Sequence, residues 1–149
     1  LAAAYFVPDA LTRRAILAAL RRGVRVRILV PGEYIDSQVT RRASRANWCE
    51  LLLAGAKLYE FQPAMFHCKT LIVDSRLVSV GSTNFDNRSF RLNDEANLNV
   101  YDADFAARIE QVFETDLGRS REVTFQAWAR RPWHEKLMEK LTLPFASQM

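Results

Sequence analysis

The chain has 149 residues, a length that fits one domain burying roughly 68–70% of the surface its unfolded form would expose; 49% of the residues are apolar and 26% charged, close to the average of globular proteins. No apolar run nears the ~20 residues of a bilayer span, which excludes an integral membrane segment, and two cysteines, Cys49 and Cys68, without metal-type spacing point away from redox or zinc chemistry. The net charge of +4 rests on clustered arginines and favours an anionic partner, whether phospholipid headgroup, membrane surface or nucleic acid.

In chain order, residues 1–8 hold neither an initiator Met nor a basic leader ahead of an apolar stretch, so a piece of a longer chain is expected and a signal peptide is not. Pro8-Asp9 opens a helix in which Leu11, Ala15, Leu17, Ala18 and Leu20 recur near helical spacing, with Gly23 as its stop. Residues 24–30 alternate, then turn continuously apolar, and predict a strand ended by Pro31-Gly32. Beyond a polar loop around Asp36-Ser37, a second helix is expected over 39–54, with Trp48, Leu51 and Leu52 inward. Residues 57–61 form a short strand.

Two runs of β-formers, 67–73 and 77–83, are joined by Asp74-Ser75-Arg76 as a tight hairpin, and a further strand, 95–101, follows an irregular loop. Residues 103–117 and 128–141 return to helical intervals. The late strip Trp133, Leu137, Met138, Leu141, Leu143 and Phe145, interleaved with Lys136 and Lys140, reads first as a core or partner-domain face and second as a lipid-interface face. With no repeat and no low-complexity linker, the pattern predicts one α+β domain over 1–149, a mixed α/β sandwich whose central mixed sheet is flanked by helices.

The chemistry concentrates between residues 67 and 95. His67 and Lys69 are two apart on an expected strand, so they share a face and both can touch one phosphate. Ser82 and Asn84 are likewise two apart at the end of the hairpin's return strand, which the turn brings back beside His67. Hydroxyl, amide and ammonium then converge on phosphoryl oxygens. Asp74 is seven residues from His67, roughly 23 Å along an extended strand, too far to orient that imidazole. It is expected to shape the turn, and Glu95 is the candidate carboxylate behind His67. Phe66, Phe85 and Phe90 read as core before pocket wall.

His67-Cys68-Lys69-Thr70-Leu71-Ile72-Val73-Asp74 has the form HxKxxxxD, and Gly81-Ser82-Thr83-Asn84 follows seven residues later; together they resemble the phospholipase D superfamily. The continuation from Phe85 to Glu95, and Tyr5-Phe6-Val7-Pro8 at the start, are similar to the cardiolipin synthase branch, over nearly the whole chain and to the C-terminal half of such an enzyme. The resemblance implies a phospholipase D/nuclease-like half domain that transfers a phosphatidyl group between phosphatidylglycerol molecules through a phosphohistidine, at a bacterial cytoplasmic membrane. It implies catalytic roles for His67, Lys69 and Glu95, phosphate binding by Lys69, Ser82 and Asn84, structural roles for Asp74 and Gly81, and no metal or cofactor. Arg88 is a substrate contact or an ion pair shaping the loop.

That mechanism needs two histidines. The only other one, His134, is followed by no GSxN element, so the second half is expected from the same polypeptide or from a second copy, and the isolated half is expected to be inactive. A dimeric hydrolase or nuclease, with nucleic acid in the site, and a non-catalytic scaffold half stand as alternatives.

Overall fold

The computed structural model describes residues 1–142, so Leu143 and Phe145 of the C-terminal strip lie outside the described residues. A seven-stranded mixed sheet runs in the order β6-β5-β4-β1-β2-β3-β7. Its strands are β1 (Ala2–Ala3), β2 (Arg27–Pro31), β3 (Lys57–Phe61), β4 (Lys69–Val73), β5 (Leu77–Gly81), β6 (Asn97–Tyr101) and β7 (Ser120–Val123). The strands β1, β2 and β3 are mutually parallel, and every other pairing is antiparallel.

Alternation along β2 explains the layers. Ile28 and Val30 face one side with Leu58, Trp48 and Leu51, under the helices α1 (Ala10–Arg21), α2 (Gln38–Ala46) and α3 (Trp48–Leu53). Leu29 faces the other side with Phe61, Phe66 and Phe113, the last on the long helix of that face. The remaining helices are α4 (Asn87–Arg91), between β5 and β6, α5 (Ala103–Leu117), between β6 and β7, and α6 (Phe125–Ala129) and α7 (Trp133–Thr142), after β7; Phe113 belongs to α5.

Local chemistry sets the element ends. Asp9, Ser37, Asp86 and Asp102 accept N-cap hydrogen bonds from the third residue on, and Gly23 closes the α1 end at φ +86°. The helix expected over 39–54 is two helices, because the chain breaks at Asn47, whose side chain turns back to donate to the Ala43 carbonyl. The helix expected over 128–141 is likewise two, since Pro132 disfavours helical backbone at Arg131 and restarts the chain as α7. The strand β7 and the two-residue β1 were not foreseen. Both owe their place to neighbours, as β1 bridges β2 and β4 and β7 covers the β3 edge.

The fully buried Glu60 on β3 fastens the helical layer to the sheet. It accepts from Arg41 Nη2 at 2.9 Å, Arg45 Nη1 at 2.7 Å and Arg121 Nη2 at 2.6 Å. Burial alone would raise its pKa, but the Arg121 hydrogen bond and the charges of Arg45 and Arg41 outweigh it and hold the carboxyl below its usual value. Glu139 on α7 is buried beside Arg45 and Arg131, extending the network to the last described helix.

Candidate active site

The topology collects the chemistry at one end of the sheet. The parallel strands β1 and β2 both end there, β4 begins there, and the antiparallel register brings the end of β5 and the start of β6 back to the same end, with Gly81 opposite Asn97. Loops leaving these ends carry Tyr5, Asp36, His67, Ser82, Asn84 and Glu95. The opposite end carries the Asp74 turn, so Asp74 is remote from His67 along the strand. Asp74 and Ser75 both sit at φ +52°, the left-handed pair that a tight hairpin turn of right-handed strands requires. The Asp74 side chain makes no hydrogen bond among the described residues.

His67 lies two residues before β4 rather than on it, and its side chain is 51% exposed. Lys69 opens β4 and folds back, its Nζ 3.0 Å from His67 Nδ1 and 3.0 Å from the His67 carbonyl, to which it donates. Partial burial pulls the Lys69 pKa down, opposed by the negative charge of Asp36, Glu95 and Asp86. The ammonium therefore touches the imidazole and feels the field of three carboxylates.

Residues 4–7, continuing β1, wedge between the two halves of the motif. On one side the Ala4 amide donates to the Cys68 carbonyl at 2.8 Å; on the other the Tyr5 amide donates to Asn84 Oδ1 at 3.2 Å and the Phe85 amide to the Tyr5 carbonyl at 3.0 Å. Asn84 is buried, and its engaged Oδ1 leaves the Nδ2 donors for another acceptor. The Tyr5 ring packs edge-on against His67 with centroids 6.0 Å apart, and its hydroxyl donates to Asp36 Oδ2 at 2.6 Å. Burial, then the Asp36 bond and charge, push the Tyr5 phenol up to about 12.

The carboxylate nearest His67 is Asp36, with Oδ2 3.9 Å from Nε2. Glu95, expected behind the imidazole, makes no contact with it within ion-pair distance among the described residues. Glu95 instead accepts from Asn93 Nδ2 at 3.3 Å, and the nearby Ser82 and Ser89 hydroxyls, with that amide and the Lys69 charge, hold its pKa below the usual value. The reason is register: Gly81 pairs with Asn97, so Glu95 passes beside the loop after β5 rather than beside the start of β4. Ser82 is spent in the same place, its amide donating to the Ala96 carbonyl at 3.1 Å and its Oγ accepting from the Ala96 amide at 3.0 Å.

Gly81 has no room for a side chain, as a Cβ would stand 2.1 Å from the Ala96 carbonyl oxygen. Asp86 caps α4 through the Ser89 amide at 2.8 Å, and burial raises its pKa. Arg88 is exposed on α4 and its side chain pairs with nothing among the described residues, which leaves it free of the loop-shaping ion pair. Phe66 is core, Phe85 is half-buried and Phe90 is exposed, edge-on to Phe85 at 5.7 Å. His134 is on α7, away from these loops.

Tyr5 and Asp36 were not identified as site residues in the sequence. The available signal was positional: Asp36 follows a strand ended by Pro31-Gly32, and the ends of parallel strands are where α/β sheets hold ligands.

Comparison with known proteins now bears on this arrangement. Residues 1–117 match the family model described as cardiolipin synthase, PLD-like domain. The chain is 42% identical over 137 residues to cardiolipin synthase A of Erwinia tasmaniensis, covering 92% of this chain and 28% of that protein. It is 39% identical over 139 residues to cardiolipin synthase 2 of Bacillus anthracis, covering 93% and 27%. The chain thus spans little more than a quarter of the length of these relatives.

Among solved structures, its fold is similar to Nuc of Salmonella typhimurium, a phospholipase D family member, at TM-score 0.70 and 22% identity over 83% of this chain and 79% of that one. It is also similar to phosphatidylserine synthase of Haemophilus influenzae, at TM-score 0.73 and 18% identity over 97% and 38%. With the family model spanning residues 1–117 and the HxKxxxxD and GSxN elements inside that span, this chain belongs to the phospholipase D-like domain family of the cardiolipin synthases.

Proposed function

We propose that this domain supplies half of a phosphatidyltransferase site that moves a phosphatidyl group from one phosphatidylglycerol to the hydroxyl of another, through a phosphohistidine intermediate, at a bacterial cytoplasmic membrane. The observation that carries the proposal is the open His67 imidazole with the Lys69 ammonium 3.0 Å from its Nδ1, in a chain about 40% identical to cardiolipin synthases.

The geometry supports a sequence of roles. While Lys69 donates to Nδ1, the neutral ring carries its proton on Nε2. A phosphate diester attracts Lys69 and the Asn84 Nδ2 donors, which relieves charge on the phosphoryl oxygens, and Nδ1 is then free to take a proton. The resulting imidazolium gives its Nε2 proton to the departing glycerol oxygen while the histidine of the second half bonds to phosphorus. The neutral His67 left behind has its Nε2 lone pair free to accept the proton of the incoming alcohol, whose oxygen then displaces the phosphohistidine.

Glu95 tempers the local charge around Lys69, and Arg88 offers a cation to the headgroup. Both histidines are required, so the second half comes from the same polypeptide or a second copy, and this chain alone is inactive. The relatives' greater length favours the same polypeptide.

A nuclease or hydrolase reading draws on the fold of Nuc, at 22% identity. Incubating the full-length protein with phosphatidylglycerol and, separately, with single- and double-stranded DNA decides between them. Release of glycerol with formation of a diphosphatidyl product is expected; turnover of DNA alone rejects the lipid reading. A scaffold role without catalysis is rejected if His67→Asn abolishes that release and is favoured if activity is unchanged.

A further inference from the structure

The last described helix, α7, turns its polar side inward. Glu139 is buried against Arg131 and lies 3.3 Å from Arg45 Nε, Glu135 Oε2 is 3.6 Å from Arg45 Nη2, and Thr142 is buried. On the opposite arc Trp133, Leu137 and Leu141, spaced four apart, are 74%, 48% and 57% exposed. That spacing aligns them as one stripe, with Met138 at its edge and Lys136 and Lys140 alongside. A helix at a water-facing surface carries the reverse pattern, so this stripe needs a cover. It is not core, since the core side is already occupied by glutamates.

We propose that α7 is an interfacial docking helix that seats the Trp133–Leu137–Leu141 stripe in the headgroup region of an anionic bilayer. Charge selects that occupant. Both carboxylates of the helix are paired with arginines of the protein, so the cations flanking the stripe, Lys136 and Lys140, are left to meet anionic headgroups.

Size points the same way. Ten residues of helix span about 15 Å, and a face about 10 Å wide offers on the order of 150 Å², far below the about 800 Å² that each partner of a stable protein complex contributes. Lysine is also depleted at protein interfaces, whereas tryptophan beside lysine suits the membrane boundary. Docking here would hold the protein at the surface where its proposed phosphatidyl substrates reside, and in that respect the inference rests on the lipid reading above.

The test uses the full-length protein and vesicles of equal parts phosphatidylglycerol and phosphatidylcholine with brominated acyl chains. Tryptophan quenching that Trp133→Phe removes, and that weakens as salt is added, is expected. The double variant Leu137→Ser, Leu141→Ser should lower vesicle partitioning about tenfold or more. It should leave the unfolding midpoint in place, because both side chains are exposed, and should still turn over short-chain phosphatidylglycerol below its critical micelle concentration. Equal vesicle binding by the double variant, or a Trp133 that bromine cannot reach because another part of the protein or a second copy covers it, overturns the docking role. Vesicle binding and quenching by a native protein that turns over no short-chain lipid would uphold docking and reject the substrate assignment.

Discussion

Glu60→Gln removes the negative centre of the cluster that joins α2, β3 and β7. The three guanidiniums lose unequally. Arg45 keeps Glu139 at 3.3 Å and Glu135 at 3.6 Å, and Arg121 is 61% exposed, so water takes over its charge. Arg41, only 18% exposed, loses its carboxylate partner while its Nε already lacks a hydrogen bond. Stranding one buried charge puts the cost at the low end of the usual range for a broken buried ion pair, about 3 kcal/mol. For a domain of this size that lowers the melting midpoint by roughly 6–12 °C.

The pH dependence has a definite sign. Because the folded Glu60 pKa is held below the ordinary 4.5, its stabilisation is complete above that value and is lost as pH falls through the folded pKa. The gap between native protein and Glu60→Gln should therefore be full at pH 7 and close on acidification below about pH 4.5. Urea unfolding followed by tryptophan fluorescence reads this directly, since Trp48 stacks under Arg45 at 5.5 Å and Trp128 Nε1 donates to the Arg45 carbonyl at 2.9 Å. A loss under about 1 kcal/mol at neutral pH, or a gap that persists in acid, would refute the charge-clamp reasoning.

His67→Asn should reduce glycerol release by the full-length protein by about 10²–10⁴-fold or more with an unchanged melting curve, measured on phosphatidylglycerol vesicles. Tyr5→Phe, which frees Asp36 Oδ2 from its 2.6 Å bond, should cost about tenfold in turnover. It should also delete a tyrosine ionisation near pH 12 from an ultraviolet titration; a titration that keeps that phase would show that another tyrosine carries it. Gly81→Ala forces a Cβ to within 2.1 Å of the Ala96 carbonyl oxygen and should destabilise by about 1–3 kcal/mol in denaturant titration, with Gly23→Ala as a control that has nothing within 4 Å but a left-handed backbone to strain.

Much of the fold was legible because its signals are local. The helix 103–117 and the strand 57–61 follow from periodicity and stops, the strand expected over 77–83 forms over 77–81, and Asp74-Ser75 marked the turn by residue type. What escaped depends on distant partners. The residues of β1 and β7 have no strand pattern of their own and become strands by pairing with β2, β4 and β3. In the site, the spacing of His67, Lys69 and Asn84 could be read along the chain, but Asp36 comes from a loop 31 residues earlier and meets His67 only because β1, β2 and β4 are neighbours in the sheet. Glu95 does not meet His67 because β5 lies between the start of β6 and the start of β4.

The most direct test of a shared phosphoryl pocket is a crystal structure of the full-length protein with vanadate. The metal oxyanion should lie against His67 Nε2, with its oxygens within hydrogen-bonding reach of Lys69 Nζ and Asn84 Nδ2 and Asp36 turned aside. Vanadate bound only elsewhere, for instance among the arginines around Glu60, with the three groups facing separate regions, would contradict it.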